Sequence, residues 1–167
     1  MPASNTIVLK SLSILLGLFF VFVGTLKLTP HISKDLYKDL RTEYVKYAKV
    51  FPLTALFGIK IPSKWYRRTV GLLEILCGLA MALIPYQINM NYIDKVKNAA
   101  NITLLLLMLL GIYQHWMVSD PFERSGPALV FTFMLGGRLV VWYQTSRKDS
   151  ELSASTTQLQ TNGVKQD

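Results

Sequence analysis

The chain has one cysteine, two histidines and only ten acidic residues among its 167. A lone Cys77 excludes an intrachain disulfide, a Cys-x-x-Cys redox pair and a cysteine-based zinc finger. His115 has no second metal ligand one helical turn on, so a zinc site is not expected there. Also missing are a Ser-His-Asp arrangement, a glycine-rich phosphate loop, a His-Glu-x-x-His run and paired carboxylates. Without a catalytic set the sequence points away from an enzyme, and no metal or cofactor is expected. Charge is sparse overall: 17% of residues, against 51% hydrophobic and a mean hydropathy of +0.31.

The charge is also unevenly spread. Ser11–Leu26 and Asn98–Ser119 carry no strong charge, Thr69–Ile93 only Glu74, and Ser125–Ser146 only Arg138. A hydrocarbon core about 30 Å thick takes roughly 20 apolar residues as a helix. These windows exclude a soluble globular protein and predict an all-α membrane protein, a bundle of four transmembrane helices. The net charge of +8 and pI near 9.6 do not indicate nucleic acid, because the basic residues sit in loops with no nucleic-acid motif around them. Basic loops beside apolar spans are normal for membrane proteins.

The expected spans are 6–28, 65–85, 98–118 and 126–144, within a membrane domain over 1–143. In the first, Lys10 leads into the apolar run Ser11–Leu26 as in a signal peptide, yet no A-x-A-like site follows, so it reads as an uncleaved span ended by Thr29-Pro30. The stretch His31–Pro52 repeats apolar side chains at Ile32, Leu36, Leu40, Tyr44 and Ala48, one face of an amphipathic helix expected over 33–51. The opposite face carries Lys34, Lys38, Arg41, Lys46 and Lys49, and Ser33 is a ready N-cap. Such a helix either lies in the membrane interface or packs over the bundle end. Residues 144–167, rich in Ser, Thr and Gln, read as a disordered polar tail.

Ionisable groups inside a bilayer need a partner or a task. Glu74 and Arg138 each lie about ten residues into spans that start on the same side, so at 1.5 Å per residue they are expected to pair near mid-depth. The pair is either architectural or the wall of a polar cavity that takes a partner, lipid or small molecule. Lys27, His115 and Asp120 fall together at the other span ends, with Lys27 expected on Asp120 or snorkelling to water. Gly17, Gly24, Gly71 and Gly78, with Gly136 and Gly137, permit close helix approach, within the bundle or to a docking partner. Cys77, among apolar residues, is expected to be inert. Asn101-Ile102-Thr103 matches a glycosylation sequon at a span start, where modification is not expected.

Three stretches carry a family likeness. They are Gly17-Leu-Phe-Phe-Val-Phe-Val-Gly-Thr-Leu-Lys-Leu-Thr-Pro30, Gly71-Leu-Leu-Glu-Ile-Leu-Cys-Gly78, and Val118-Ser-Asp-Pro121 followed by Ala128-Leu-Val-Phe131. Together with the four-span layout they resemble the NACHO family of nicotinic acetylcholine receptor chaperones, within the DoxX-like superfamily. Ser119 departs from it, standing where the family has glycine before Asp-Pro. The resemblance implies a non-catalytic, multi-pass protein of the endoplasmic reticulum membrane, with vesicles as a second location. It also implies nicotinic receptor subunits, alpha-7 type among them, as partners alongside membrane lipids. Lys27, Glu74, Asp120 and Arg138 then occupy matching polar positions. The family layout implies cytoplasmic termini, whereas the ten Lys and Arg of Lys27–Arg68 would place that loop in the cytoplasm. Two alternatives stand beside this reading. One is a redox-associated DoxX-like protein binding a quinone or other small molecule near Glu74, Arg138 and His115. The other is a small transporter or proton relay, disfavoured by the absence of internal repeats.

Overall fold

A computed structural model describes residues 3–52, 54, 58, 60–83 and 90–163, and every regular element among them is helical. The helices are α1 (Ala3–Leu28), α2 (Lys34–Lys49), α3 (Ser63–Leu83), α4 (Met90–Met117) and α5 (Phe122–Gly163). Three have the length and apolarity to cross a membrane, over Ile7–Leu28, Asp94–Met117 and Phe122–Ser155. α1 is apolar on all sides: Leu16 and Phe20 are fully buried, while Leu15, Leu18 and Phe22 face outward, the pattern of a helix with no aqueous face. It stops at Thr29-Pro30, where the Thr29 N–H still reaches Thr25 O at 2.9 Å.

α1 packs on α3, α3 on α4, α4 on α5, and α5 back on α1, closing a four-helix bundle. Its centre holds Leu16, Phe20, Met81, Ala100, Leu104 and Leu135. Phe131 stacks on Phe19 at 3.9 Å between centroids and meets Phe20 edge-on at 5.6 Å. The α1–α3 seam is built on glycine. A Cβ on Gly17 would stand 2.5 Å from Gly78 O, and one on Gly24 2.6 Å from Gly71 O. Only glycine lets two backbones approach so closely. Gly17 and Gly24, and Gly71 and Gly78, are seven residues apart on helices running in opposite directions, so each pair meets in register. These four glycines therefore face one another across an internal seam and not a docking partner. Gly136 and Gly137 differ from expectation in the other direction: a Cβ on either meets nothing within 4 Å, so they bring no helix closer.

α2 packs over the bundle end, against α3 and α1. Ser33 caps it by accepting the Leu36 N–H at 3.3 Å. Asp35 in its first turn and Lys46 and Lys49 in its last complement the helix dipole. Tyr44, Tyr47 and Ala48 are buried against Tyr66 and Val70, while Lys34, Lys38, Arg41, Lys46 and Lys49 are exposed.

Two boundaries differ from expectation. α4 starts at Met90 and not near Asn98, because Met90–Lys97 contains no proline or glycine to stop a helix. α5 continues to Gly163 where a disordered tail was expected from Gln144. Extending an existing helix avoids the nucleation penalty. Arg147 and Glu151, at 3.9 Å, and Ser150 and Ser155, each bonding the carbonyl four residues back, occupy the extension. Pro85-Tyr86 and part of the Gln87–Lys97 turn lie outside the described residues.

Candidate functional site

The end of α4 shows how local sequence places polar groups. Ser119 adopts φ 55°, the left-handed conformation that commonly terminates a helix. The Asp120 N–H then bonds His115 O at 3.0 Å and the Ser119 N–H bonds Trp116 O at 3.1 Å, a Schellman turn. This return lays Asp120 over His115, with His115 Nδ1 donating to Asp120 Oδ2 at 2.8 Å. Tyr47, from α2, donates its hydroxyl to the same oxygen at 3.0 Å. Burial alone would raise the Asp120 carboxyl, but the hydrogen bonds from His115 and Tyr47 outweigh it and hold the carboxyl below its usual value. Burial, then the Asp120 carboxylate, pushes the Tyr47 phenol up; Tyr44 is raised well above its usual value chiefly by burial.

Beneath this cluster Glu74 is fully buried, and Lys27 Nζ donates to its Oε1. The expected Glu74–Arg138 pair is thus replaced by Lys27–Glu74, and Asp120 is held by His115 and Tyr47 in place of Lys27. The glycine register explains the change. Gly24 packs against Gly71 and the Glu74 Cβ, one turn before Lys27 on α1. Arg138 lies towards the other end of the bundle, where Nε donates to Ser13 Oγ at 2.8 Å and Nη1 to Asn98 Oδ1 at 3.0 Å. Ser13 is about 20 Å along α1 from Lys27 at 1.5 Å per residue. The two residues are not level because Glu74 lies 11 residues beyond the start of its helix at Ser63, and Arg138 16 beyond the start of its helix at Phe122.

Other buried polar residues complete the site. Arg67 donates to Lys27 O and, at 2.9 Å, to the Tyr37 hydroxyl. That bond, more than any other influence, holds the Tyr37 phenol below its usual value. Gln114 donates to the Tyr66 hydroxyl at 2.6 Å. Glu43 Oε1 takes Arg124 at 2.8 Å and, from the exposed side, Lys46 at 3.1 Å. Sequence patterning passed over Arg67 and Glu43, although both carry a positional signal. Glu43 falls between Leu40 and Tyr47 on the buried stripe of α2, and Arg67 lies seven residues before Glu74 on one face of α3. Asn101 donates to Leu135 O at 3.0 Å and is fully buried, so the sequon nitrogen is occupied in helix packing.

These groups surround a cavity of about 430 Å³ between α2 and the bundle. Phe19, Phe20, Val23, Leu107, Met108 and Phe131 line its apolar side; Lys27, Asp39, Glu43, Tyr44, Tyr47, Tyr66, Glu74, Gln114, His115 and Arg124 are among its polar residues. Glu43 Oε2 and Glu74 Oε2 are buried and accept no hydrogen bond from any described residue. Buried acceptors of this kind are uncommon in folded proteins. Chemically, the cavity is suited to receiving a hydrogen-bond donor with an apolar body.

Comparison with known proteins supplies a second line of evidence. A family model described as the DoxX-like family matches residues 11–137. A mouse (Mus musculus) protein named "Novel acetylcholine receptor chaperone" is 40% identical over 154 residues, 92% of this chain and 86% of its own length. Proteins of the same name from Xenopus tropicalis and Bos taurus are 40% and 39% identical over 155 residues each, covering 93% of this chain and 90% and 82% of theirs.

Proposed function

The chain belongs to the DoxX-like family, and from that premise we propose that it is a membrane-resident, non-enzymatic chaperone for nicotinic acetylcholine receptors, with alpha-7 type subunits among its clients. The observation that carries this reading is the 40% identity, over 92% of the chain, to a relative named as an acetylcholine receptor chaperone. The physical task is to cover apolar transmembrane surface on unassembled subunits until neighbouring subunits replace it. Outward-facing apolar side chains on the bundle, such as Leu18, Leu106, Val130 and Phe133, suit lipid and a client helix equally. The polar groups Lys27, Glu74 and Arg138 are turned inward and hold the bundle together.

On this reading α3 is the fourth span. Its 21 residues reach about 31 Å at 1.5 Å per residue, and its glycine seam follows α1. Exposed Lys64 and Arg68 in its first turns set that end at the membrane edge. The protein resides in the endoplasmic reticulum membrane, where receptor subunits assemble, with both termini cytoplasmic. The test is assembly itself. Native gels of an alpha-7 type subunit, expressed with and without this chain at equal subunit levels, are expected to shift from monomer and aggregate to pentamer. An unchanged pentamer fraction across several receptor subtypes overturns the reading.

A further inference from the structure

The cavity under α2 presents hydrogen-bond acceptors that the fold does not meet. Glu43 Oε2 and Glu74 Oε2 are both buried and unpartnered among the described residues, and both residues line the same space. Their other oxygens are already taken, Glu74 Oε1 by Lys27 and Glu43 Oε1 by Arg124 and Lys46. A carboxylate oxygen only accepts, so its missing partner must donate. The charged residues of the lining point the same way: Asp39, Glu43 and Glu74 face two strong cations, Lys27 and Arg124. The tyrosine rings of α2 and α3 offer faces that favour a cation, and the stacked Phe19 and Phe131 offer an apolar bed. The volume, about 430 Å³, lies within the roughly 300–1,000 Å³ of small-molecule sites.

We propose that this cavity binds an amphiphile with a primary ammonium head, which donates to the free oxygens of Glu43 and Glu74 while its hydrocarbon body lies against Phe19 and Phe131. A primary ammonium carries three N–H donors and a positive charge, which a hydroxyl and a quaternary ammonium do not combine. A quinone presents only acceptors and matches neither oxygen. The head group can come from a membrane sphingoid base or from a free arylalkylamine. The proposal is independent of the chaperone reading, since it rests on the cavity alone.

The test uses the full chain in phosphatidylcholine nanodiscs, whose quaternary head groups serve as background. Thermal unfolding is followed with sphingosine, with 2-phenylethylamine, with a fatty alcohol of sphingosine's chain length, and with a short-chain ubiquinone. Saturable stabilisation by sphingosine alone supports the site with a membrane source, and by phenylethylamine alone with a free one. A response to both, without the alcohol, shows that the head group is what is read. Glu43→Gln and Glu74→Gln are each expected to weaken amine binding at least tenfold. Gly111 lines the cavity, and a Cβ there meets nothing within 4 Å. A side chain can therefore start from Gly111 into the open space, and Gly111→Leu is expected to fill the site and abolish binding, which also controls for partition into lipid. If Glu74→Gln fails to fold, Glu43→Gln and Gly111→Leu carry the test. No response to either amine, a response only to the alcohol or the quinone, or full amine affinity in the folded variants overturns the proposal.

Discussion

Alanine substituted for glycine should change stability in opposite directions on two sides of this bundle. At Gly17 an added methyl group would stand 2.5 Å from Gly78 O, 2.8 Å from Ala82 Cβ and 2.9 Å from Ala82 N. Two of those atoms are backbone and cannot swing aside, so α1 and α3 must separate by most of an ångström. Overpacking of this kind costs about 1–3 kcal/mol, offset by about 1 kcal/mol of helix propensity gained on leaving glycine. Gly17→Ala should therefore lose up to about 2 kcal/mol. At Gly136 the same methyl group meets nothing within 4 Å, so only the propensity gain of about 1 kcal/mol remains. The two variants should differ by about 1–3 kcal/mol, or roughly 2–12 °C in Tm for a chain of this size. Circular dichroism melts of the purified proteins in one detergent measure the difference. A Gly17→Ala protein as stable as Gly136→Ala would refute the close α1–α3 seam, and with it the register that sets Glu74 beside Lys27.

Glu74→Gln leaves the Lys27 ammonium buried without its carboxylate and should destabilise by about 3–5 kcal/mol, while Lys27→Met combined with Glu74→Leu should recover much of that loss. Melts of the three proteins decide, and equal stability of Glu74→Gln and wild type would contradict the pair. Ser119 holds φ 55°, so Ser119→Gly should stabilise by roughly 0.5–1 kcal/mol; a fall in Tm would contradict the Schellman turn. The folded-state carboxyl of Asp120 titrates below its unfolded value, so the unfolded chain takes up the proton first as pH falls. Its contribution is complete above the ordinary Asp range near 3.9 and is lost as pH drops through the lower folded value. The stability gap between wild type and Asp120→Asn, followed by denaturation from pH 6 to 2, should narrow with acid, and a gap that widens would reject the assignment.

The apolar windows and the period of α2 made the helices legible, because a span must be apolar and a bundle-capping helix must alternate faces every 3.6 residues. Glycines seven residues apart on two helices were legible as close-packing positions, but not as partners of each other. That requires the antiparallel register, a tertiary property. Glu74 and Lys27 were each recognisable as buried charges needing company. Their pairing was not, because it follows from the same antiparallel register of α1 and α3, and Glu74 and Arg138 look level only until the helix starts, Ser63 and Phe122, are known. The cavity was invisible for a related reason. Glu43 belongs to a loop helix, Glu74 to α3 and Arg124 to the start of α5, and no local pattern says that the three line one space. The α5 extension beyond Gln144 shows the opposite limit, since polar composition argues only against a packed core and not against an exposed helix continuing from one already formed.

A chaperone of this kind raises the number of assembled receptors that reach the cell surface. Its most direct test is surface binding of a nicotinic toxin on cells expressing an alpha-7 type subunit, with and without this chain, at matched subunit levels. A strong rise in surface sites is expected when the chain is present. Unchanged binding, with the protein confirmed in the endoplasmic reticulum membrane, would contradict it.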